Sequence, residues 1–173
     1  MTESMSPSEV VQEHADVLRE RLKERIYASL TLLAVLVGQA QSGHPRHVGA
    51  AVSVAVTALG LWLATLVADL QAHPVAHGRM PGLPEIRHTM FTSGPLLTSA
   101  IGPLLVIGLS AVGVVELITA LWIAVGSEVV ALAAWGVTGG RRVGAGRLAS
   151  LVTGALNAVI GVGVVAVKLA AGH

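Results

Sequence analysis

Long apolar runs, separated by short polar connectors, constrain the fold of this chain more than any other feature of its sequence. Four of the runs have about 20 residues, enough for an α-helix rising about 1.5 Å per residue to cross the ~30 Å apolar core of a membrane. A further run near the start is shorter. The sequence therefore predicts an all-α bundle of five transmembrane helices, with spans at about 26–41, 48–70, 95–115, 117–138 and 148–170.

The composition also favours a membrane location. The chain of 173 residues is 53% hydrophobic and 12% charged, with a mean hydropathy of +0.73, whereas soluble domains carry about 25% charged residues. The formal net charge is only +1, so no broad basic surface favours a nucleic-acid partner, and the expected partner is the lipid bilayer. Because the chain has no cysteines, disulfides and thiolate metal sites are excluded.

The distribution of Lys and Arg predicts the orientation. Of the 11 such residues, all except Arg46 and Lys168 fall on one side when five spans are drawn. Lys and Arg are enriched in cytoplasmic loops. We therefore expect a multi-pass protein of the inner (plasma) membrane, with its N-terminus in the cytoplasm and its C-terminus outside.

A charged leader, residues 1–25, precedes the first span. Its motif SPSE, residues 6–9, predicts a capping box with Pro7 at the first helical position, and apolar residues recur after it at helical spacing. We expect an amphipathic cytoplasmic helix that continues into the first span. The alternative interpretation of that span is a cleaved signal peptide, but such peptides begin with a short basic region, and this leader is long and contains several acids.

Polar residues inside the predicted spans are the candidates for a transport site. Glu128 in the fourth span and Asn157 in the fifth fall at about the same depth, about 15 Å from the inner surface. An ionisable residue at this depth is costly. Glu128 could be a neutral structural group bonded to the Asn157 amide, or it could bind a proton or cation beside a helix broken at Pro103.

The connector between spans two and three, residues 71–94, holds residue types that bind metals. A helix continuing past span two would align Asp69, His73 and His77 on one side, although Pro74 disfavours helix there. Pro84 can open a short helix that places Glu85 and His88 at i and i+3. Imidazole and carboxylate together suit divalent Fe, Mn or Zn, and the alternative is a polar, pH-responsive connector. The candidate metal ligands are Asp69, His73, His77, Glu85 and His88.

The connector between spans four and five contains the motif GGRRVGAGR, with Arg141, Arg142 and Arg147. Its glycines neither follow a strand nor match the spacing of a phosphate-binding loop. We therefore expect these arginines to bind lipid phosphates. The spans contain no HExxH motif, nucleophile–base pair or acid dyad, so the sequence does not predict an enzyme.

The segment RERLKERIYASLTLLAVL, residues 19–36, joins the charged leader to the first span. With five spans and an enlarged cytoplasmic connector after the second, the chain resembles in layout the vacuolar iron transporter (VIT-like) group, and also small actinobacterial membrane proteins with a similar opening. The resemblance implies a homodimer that moves Fe(II) or Mn(II) out of the cytoplasm in exchange for protons. That group has a glutamate-rich helical domain after span two, where this chain has one glutamate, Glu85.

Two functional hypotheses follow. In the first, the chain is a cation or divalent-metal transporter coupled to protons, acting as a homo-oligomer. In the second, it is a non-transporting accessory or structural subunit of a larger membrane complex, a role for which helices rich in Gly and Ala are suited.

Overall fold

The computed structural model describes residues 7–142 and 144–172, with side chains for residues 17–75, 78–142 and 144–172. Every regular element in this part of the chain is a helix, as the sequence predicts. The helices are α1 (Pro7–Gln41), α2 (His47–His77), α3 (Leu83–Thr92), α4 (Gly94–Ser99), α5 (Ile101–Ala111), α6 (Leu117–Arg142) and α7 (Arg147–Ala171).

α1 is one unbroken helix of 35 residues, so the leader and the first apolar run are continuous. Ser6 of the predicted capping box lies outside the described residues. The side chains of residues 7–16 are also outside the description, so the amphipathic character of the leader stays a prediction.

The direction of each helix follows from contacts near the helix ends. α1 and α7 run in parallel, because Gln41 Nε2 donates a hydrogen bond of 3.4 Å to the Leu169 carbonyl at their last turns. α2 returns along α1, and Gln39 Nε2 donates to Ser53 Oγ over 2.9 Å near the turn between them.

The third and fourth passes complete the bundle. His47, at the start of α2, hydrogen-bonds Ser110 near the end of α5 at 3.1 Å, so helices α3 to α5 together run back along α2. α6 then runs opposite to α1, with Gly139 against Leu22 and Arg25 over the Trp135 ring. The described residues thus make five passes through one bundle.

The two ends of the bundle differ in charge. The end that contains Glu20, Glu24, Asp69 and the α6–α7 connector carries most of the Lys and Arg residues, and we name it the basic end. The other end contains Gln41, the α1–α2 turn and the α5–α6 turn, and we name it the opposite end.

Among the described residues, four segments are long and apolar enough to cross a membrane. They are His47–Val75, Leu83–Ala111, Leu117–Arg142 and Arg147–Ala171. The outward faces of α2 and α7 are rich in exposed large apolar side chains, including Val52, Val56, Leu63, Leu151, Leu156 and Val159. Such extended apolar surfaces are typical of helices that face lipid. The fold is therefore that of a membrane helix bundle.

α1 is not among these four segments, yet its second half forms the centre of the bundle. Leu32, Leu33, Leu36 and Val37 are at most 1% exposed and belong to the main core cluster. The other helices cover α1, so protein side chains and not lipid surround its second half. Such a helix needs fewer apolar residues than a helix that faces lipid.

The helices extend further into the 71–94 connector than the predicted spans do. α2 continues through Pro74 to His77 and ends at Gly78, which has a φ of 65° and donates its N–H to the Pro74 carbonyl. Left-handed backbone at this position is what glycine permits. The third pass begins at Leu83, because Pro84 fits the first turn of α3.

Small residues bring α6 and α7 into close contact. A Cβ atom added at Gly136 would lie 2.7 Å from Gly154 Cα, and one at Gly140 would lie 2.8 Å from Ser150 Cα. Close backbone approach between small residues is a common way for membrane helices to associate. This contact fixes the register between the fourth and fifth passes.

Candidate functional site

Glu128 on α6 is buried inside the bundle, where its side chain is 5% exposed. It faces α1, where Ser29 is its polar neighbour. About 16 Å of helix rise separates Glu128 from Leu117 and about 21 Å separates it from Arg142, so the carboxyl lies near the middle of its pass. Neither of the ion pairs among the described residues, Lys23–Glu20 and Arg79–Glu85, includes it.

The predicted bond between Glu128 and Asn157 is wrong. Asn157 Nδ2 donates to the Leu132 carbonyl over 3.3 Å. The reason is the register of α6 and α7: the Gly136–Gly154 contact places the Asn157 amide beside Gly136, about two helical turns from Glu128 towards the basic end.

Pro103 is fully buried and lies next to an interruption of the third pass. α4 ends at Ser99 and α5 begins at Ile101, with the Ala100 N–H bonded to the Leu97 carbonyl at 3.2 Å. A proline inside a helix removes a donor and crowds the turn before it. The break that the sequence predicts near Pro103 is thus present one turn before it.

Of the predicted metal ligands, Glu85 has a structural role at the start of α3. Its Oε1 accepts a hydrogen bond of 2.8 Å from Arg79, and its Oε2 accepts one of 3.1 Å from the Gly82 N–H. One carboxylate oxygen therefore caps α3, as a glutamate at the third helical position commonly does, and the other pairs with Arg79.

The other predicted ligands are divided between two helices. Asp69 is exposed on α2, with Lys23 and Glu20 of α1 in its electrostatic surroundings. His73 follows on α2, and His88 lies on α3 in an open groove beside Phe91. Among the side chains that the structure describes, which do not include that of His77, no three His, Asp or Glu residues are grouped to hold a metal ion.

Glu24 on α1 is the polar residue that sequence reasoning missed. It is 2% exposed, and neither of its carboxylate oxygens has a hydrogen-bond partner. Burial raises the pKa of Glu24 to about 7, and the negative charges of Glu20 and Asp69 act in the same direction. A usable sequence signal existed: Glu24 stands four residues before Ala28 and eight before Leu32, on the apolar face of α1.

Ser93 is the polar neighbour of Glu24 across the α1–α3 contact. It is fully buried at the junction of α3 and α4 and lowers the pKa of Glu24 slightly. Its hydroxyl, however, donates its proton to the Thr89 carbonyl at 2.9 Å. Ser93 therefore does not satisfy the Glu24 carboxyl.

Arg141, Arg142 and Arg147 are exposed where α6 ends and α7 begins. Their binding of lipid phosphates stays a prediction.

Comparison with known proteins gives no further assignment: no family model matches the chain, and neither a curated protein nor a solved structure matches it. The layout resemblance to the vacuolar iron transporter group therefore stays a hypothesis from the sequence.

Proposed function

We propose that this chain is a small integral membrane transporter that exchanges a cation for protons, with Glu128 as the carboxyl that binds them in turn. In this proposal α1 is the fifth membrane-spanning helix, the basic end faces the cytoplasm and the opposite end faces outward. The excess of Lys and Arg at the basic end supports that orientation.

The burial and sparse hydrogen bonding of Glu128 carry the proposal. A carboxylate has about four acceptor positions, and the partner described for this one is a single neutral hydroxyl, Ser29. A purely structural carboxyl inside a membrane is expected to be well satisfied, because an unsatisfied polar group costs several kcal/mol there. A carboxyl that must take up and release a proton or cation is better served by few fixed partners.

The proposed cargo is a cation that carboxylate oxygens accept, with divalent Fe, Mn or Zn as the candidates that the sequence suggests. We do not assign the cargo to the 71–94 connector, because Glu85 is committed to capping α3. Glu128 and the polar groups of α1 are the favoured route.

A homo-oligomer is proposed because small residues recur on the outward face of α7, between its exposed valines. Ala155, Gly163, Ala166 and Ala170 are exposed and recur at helical spacing. Small residues allow a neighbouring helix to approach closely in a membrane. A second copy of the chain, packed on this face, would contribute to a pathway that one thin bundle does not enclose.

The same face of α7 also favours the second hypothesis, an accessory subunit of a larger membrane complex. In that case the helix that packs on Gly163 would belong to a different protein. Glu128 would then be a neutral group that holds α6 to α1 through Ser29, and no ion flux would depend on it.

Flux measurements on the purified chain separate the two functions. Proteoliposomes that contain only this protein would be given an inward or outward proton gradient and tested with Fe(II), Mn(II) and Zn(II), with internal pH recorded in parallel. We expect metal flux with opposite movement of protons. Absence of flux for every ion in both gradients, from protein of verified fold, would favour the accessory subunit.

A further inference from the structure

Glu24 is a buried acid for which the bundle supplies no bonding partner. It is 2% exposed, and both of its oxygens lack a hydrogen bond. A buried carboxylate in this state is costly unless it is protonated or bound to a cation. A structural role would be better served by an apolar residue of the same size.

The basic residues next to Glu24 along α1 do not neutralise it. Arg21 lies over the Phe91 ring at 4.7 Å, and Arg25 lies over the Trp135 ring at 4.3 Å. Cations over aromatic faces are held by the ring electrons. The two guanidinium groups are thus directed at α3 and α6, and Glu24 keeps no ion pair.

The charged groups that act on Glu24 come from two helices. α1 contributes Glu20 and Lys23, which are paired at 2.5 Å, and α2 contributes Asp69. The α3–α4 junction contributes the neutral Ser93. Acids therefore outnumber bases around Glu24, which favours its protonated form.

The position of Glu24 along α1 connects two other carboxyls. Glu20 lies about 6 Å of helix rise towards the basic end and is half-exposed. Ser29, which holds Glu128, lies about 7.5 Å in the other direction. The three carboxyls thus follow one another in height along the bundle axis, while Glu24 and Ser29, five residues apart, point to different sides of α1.

We propose that Glu24 is a proton-binding site between the basic end and Glu128, and that it passes protons to and from Glu128. The first half of this inference depends on the buried carboxyl alone. The second half rests on the proposed transport function. The two halves are tested by different measurements.

Infrared titration of the full-length protein in lipid tests the first half. A protonated carboxyl gives a C=O stretching band that shifts in deuterium oxide, and we expect such a band to titrate with a midpoint near pH 7, the pKa of Glu24. Glu24→Gln, which mimics the neutral form, should remove this component. Glu116→Gln, which removes an exposed acid in the turn before α6, is the control and should keep it.

The site would be overturned if the band component with a midpoint near pH 7 is unchanged in Glu24→Gln. It would also be overturned if the wild-type protein has no band that titrates between about pH 6 and about pH 8. If Glu24→Gln fails to fold, Glu24→Asp replaces it: the shorter acid should keep the band but move its midpoint, and an unmoved midpoint would assign the band elsewhere.

Proton-coupled flux in proteoliposomes tests the second half. Glu24→Gln should reduce flux about tenfold or more, the scale of losing a positioned proton carrier, while Glu116→Gln, at an exposed turn, should retain more than half. Unchanged flux in Glu24→Gln would overturn the relay. If the Glu24 band is present but wild type has no flux, the proton site stands and the transport function is overturned. If wild type has flux but the Glu24 band is absent, the transport function stands and the proton site is overturned.

Discussion

At the residue scale, the bundle contains two buried carboxyls, Glu128 on α6 and Glu24 on α1. Glu128 is recognisable in the sequence, because it stands alone in an apolar run. Glu24 is harder to recognise, because it belongs to a leader full of charges and only its spacing from Ala28 and Leu32 marks it. Its burial depends on α3 and α4 packing over α1.

The pKa of Glu24 predicts how stability depends on pH. Its value in the fold, about 7, is above the ordinary 4.5, so the folded state binds this proton more tightly than the unfolded state. The resulting stabilisation is fully present below pH 4.5 and is lost as the pH rises through about 7. Between these two pH limits we expect the free energy of unfolding to change by about 1 to 3 kcal/mol because of Glu24.

Unfolding in detergent at a series of pH values measures this effect. The difference in melting temperature between wild type and Glu24→Gln should change across that range, with wild type gaining at acid pH. Glu116→Gln, an exposed acid in the turn before α6, should follow wild type when compared in the same way. A constant difference between wild type and Glu24→Gln would show that Glu24 titrates alike in the folded and unfolded states.

At the element scale, the α6–α7 contact is the tightest that the structure describes, and two glycines of α6 test it. An added Cβ at Gly136 would meet Gly154 Cα and the Thr153 carbonyl at 2.7 Å, whereas nothing lies within 4 Å at Gly126. Because the Gly136 neighbours are backbone atoms, the helices would have to separate. Gly136→Ala should destabilise the fold by about 1 to 3 kcal/mol.

Gly126→Ala on the same helix is the matched control. It should be neutral or stabilising by up to about 1 kcal/mol, since alanine is the better helix former. Thermal unfolding of both variants in one detergent gives the comparison. Equal melting temperatures for the two variants would mean that α6 and α7 are not in the contact described here.

Sequence patterns predict the helices better than they predict helix pairs. Apolar runs and prolines locate the passes, including the start of α3 at Pro84 and the break near Pro103, because these features act locally. The pairing of Glu128 with Asn157 was inferred from equal depth, but depth does not determine register. The Gly136–Gly154 contact determines it, and this contact depends on both helices at once.

The extent of the passes is also set by non-local terms. α2 remains helical through Pro74, and the third pass ends at Ala111, before the predicted end near residue 115. The turn that follows places Gly113 at a φ of 82°, a conformation that glycine adopts readily. Composition alone gives no reason to end the helix at that residue.

At the scale of the whole molecule, the parallel course of α1 and α7 requires an odd number of passes. If α1 crosses the membrane, the residues before it and after it must be on opposite sides. The natural chain has no cysteine, so single-cysteine variants report their own positions. We expect Ser42→Cys to react with an impermeant thiol reagent from outside the cell.

Thr2→Cys and Met80→Cys should be protected from the reagent until the membrane is permeabilised. Met80 is 78% exposed, so its protection would reflect the membrane and not burial in the bundle. Labelling of Ser42→Cys and Thr2→Cys from the same side would show that α1 does not cross and that the bundle has four membrane spans.

The most direct test of the proposed function compares proton-coupled cation flux for wild type, Glu128→Gln and Glu116→Gln in proteoliposomes. Gln keeps the shape of Glu128 and can bond Ser29, so folding should be preserved, but it cannot release a proton or bind a cation as a carboxylate does. Glu116 is an exposed acid in the turn before α6 and controls for the loss of one negative charge. We predict that Glu128→Gln melts like wild type and has no flux, while Glu116→Gln transports normally. Flux in Glu128→Gln equal to that of wild type would contradict the transport role of this carboxyl.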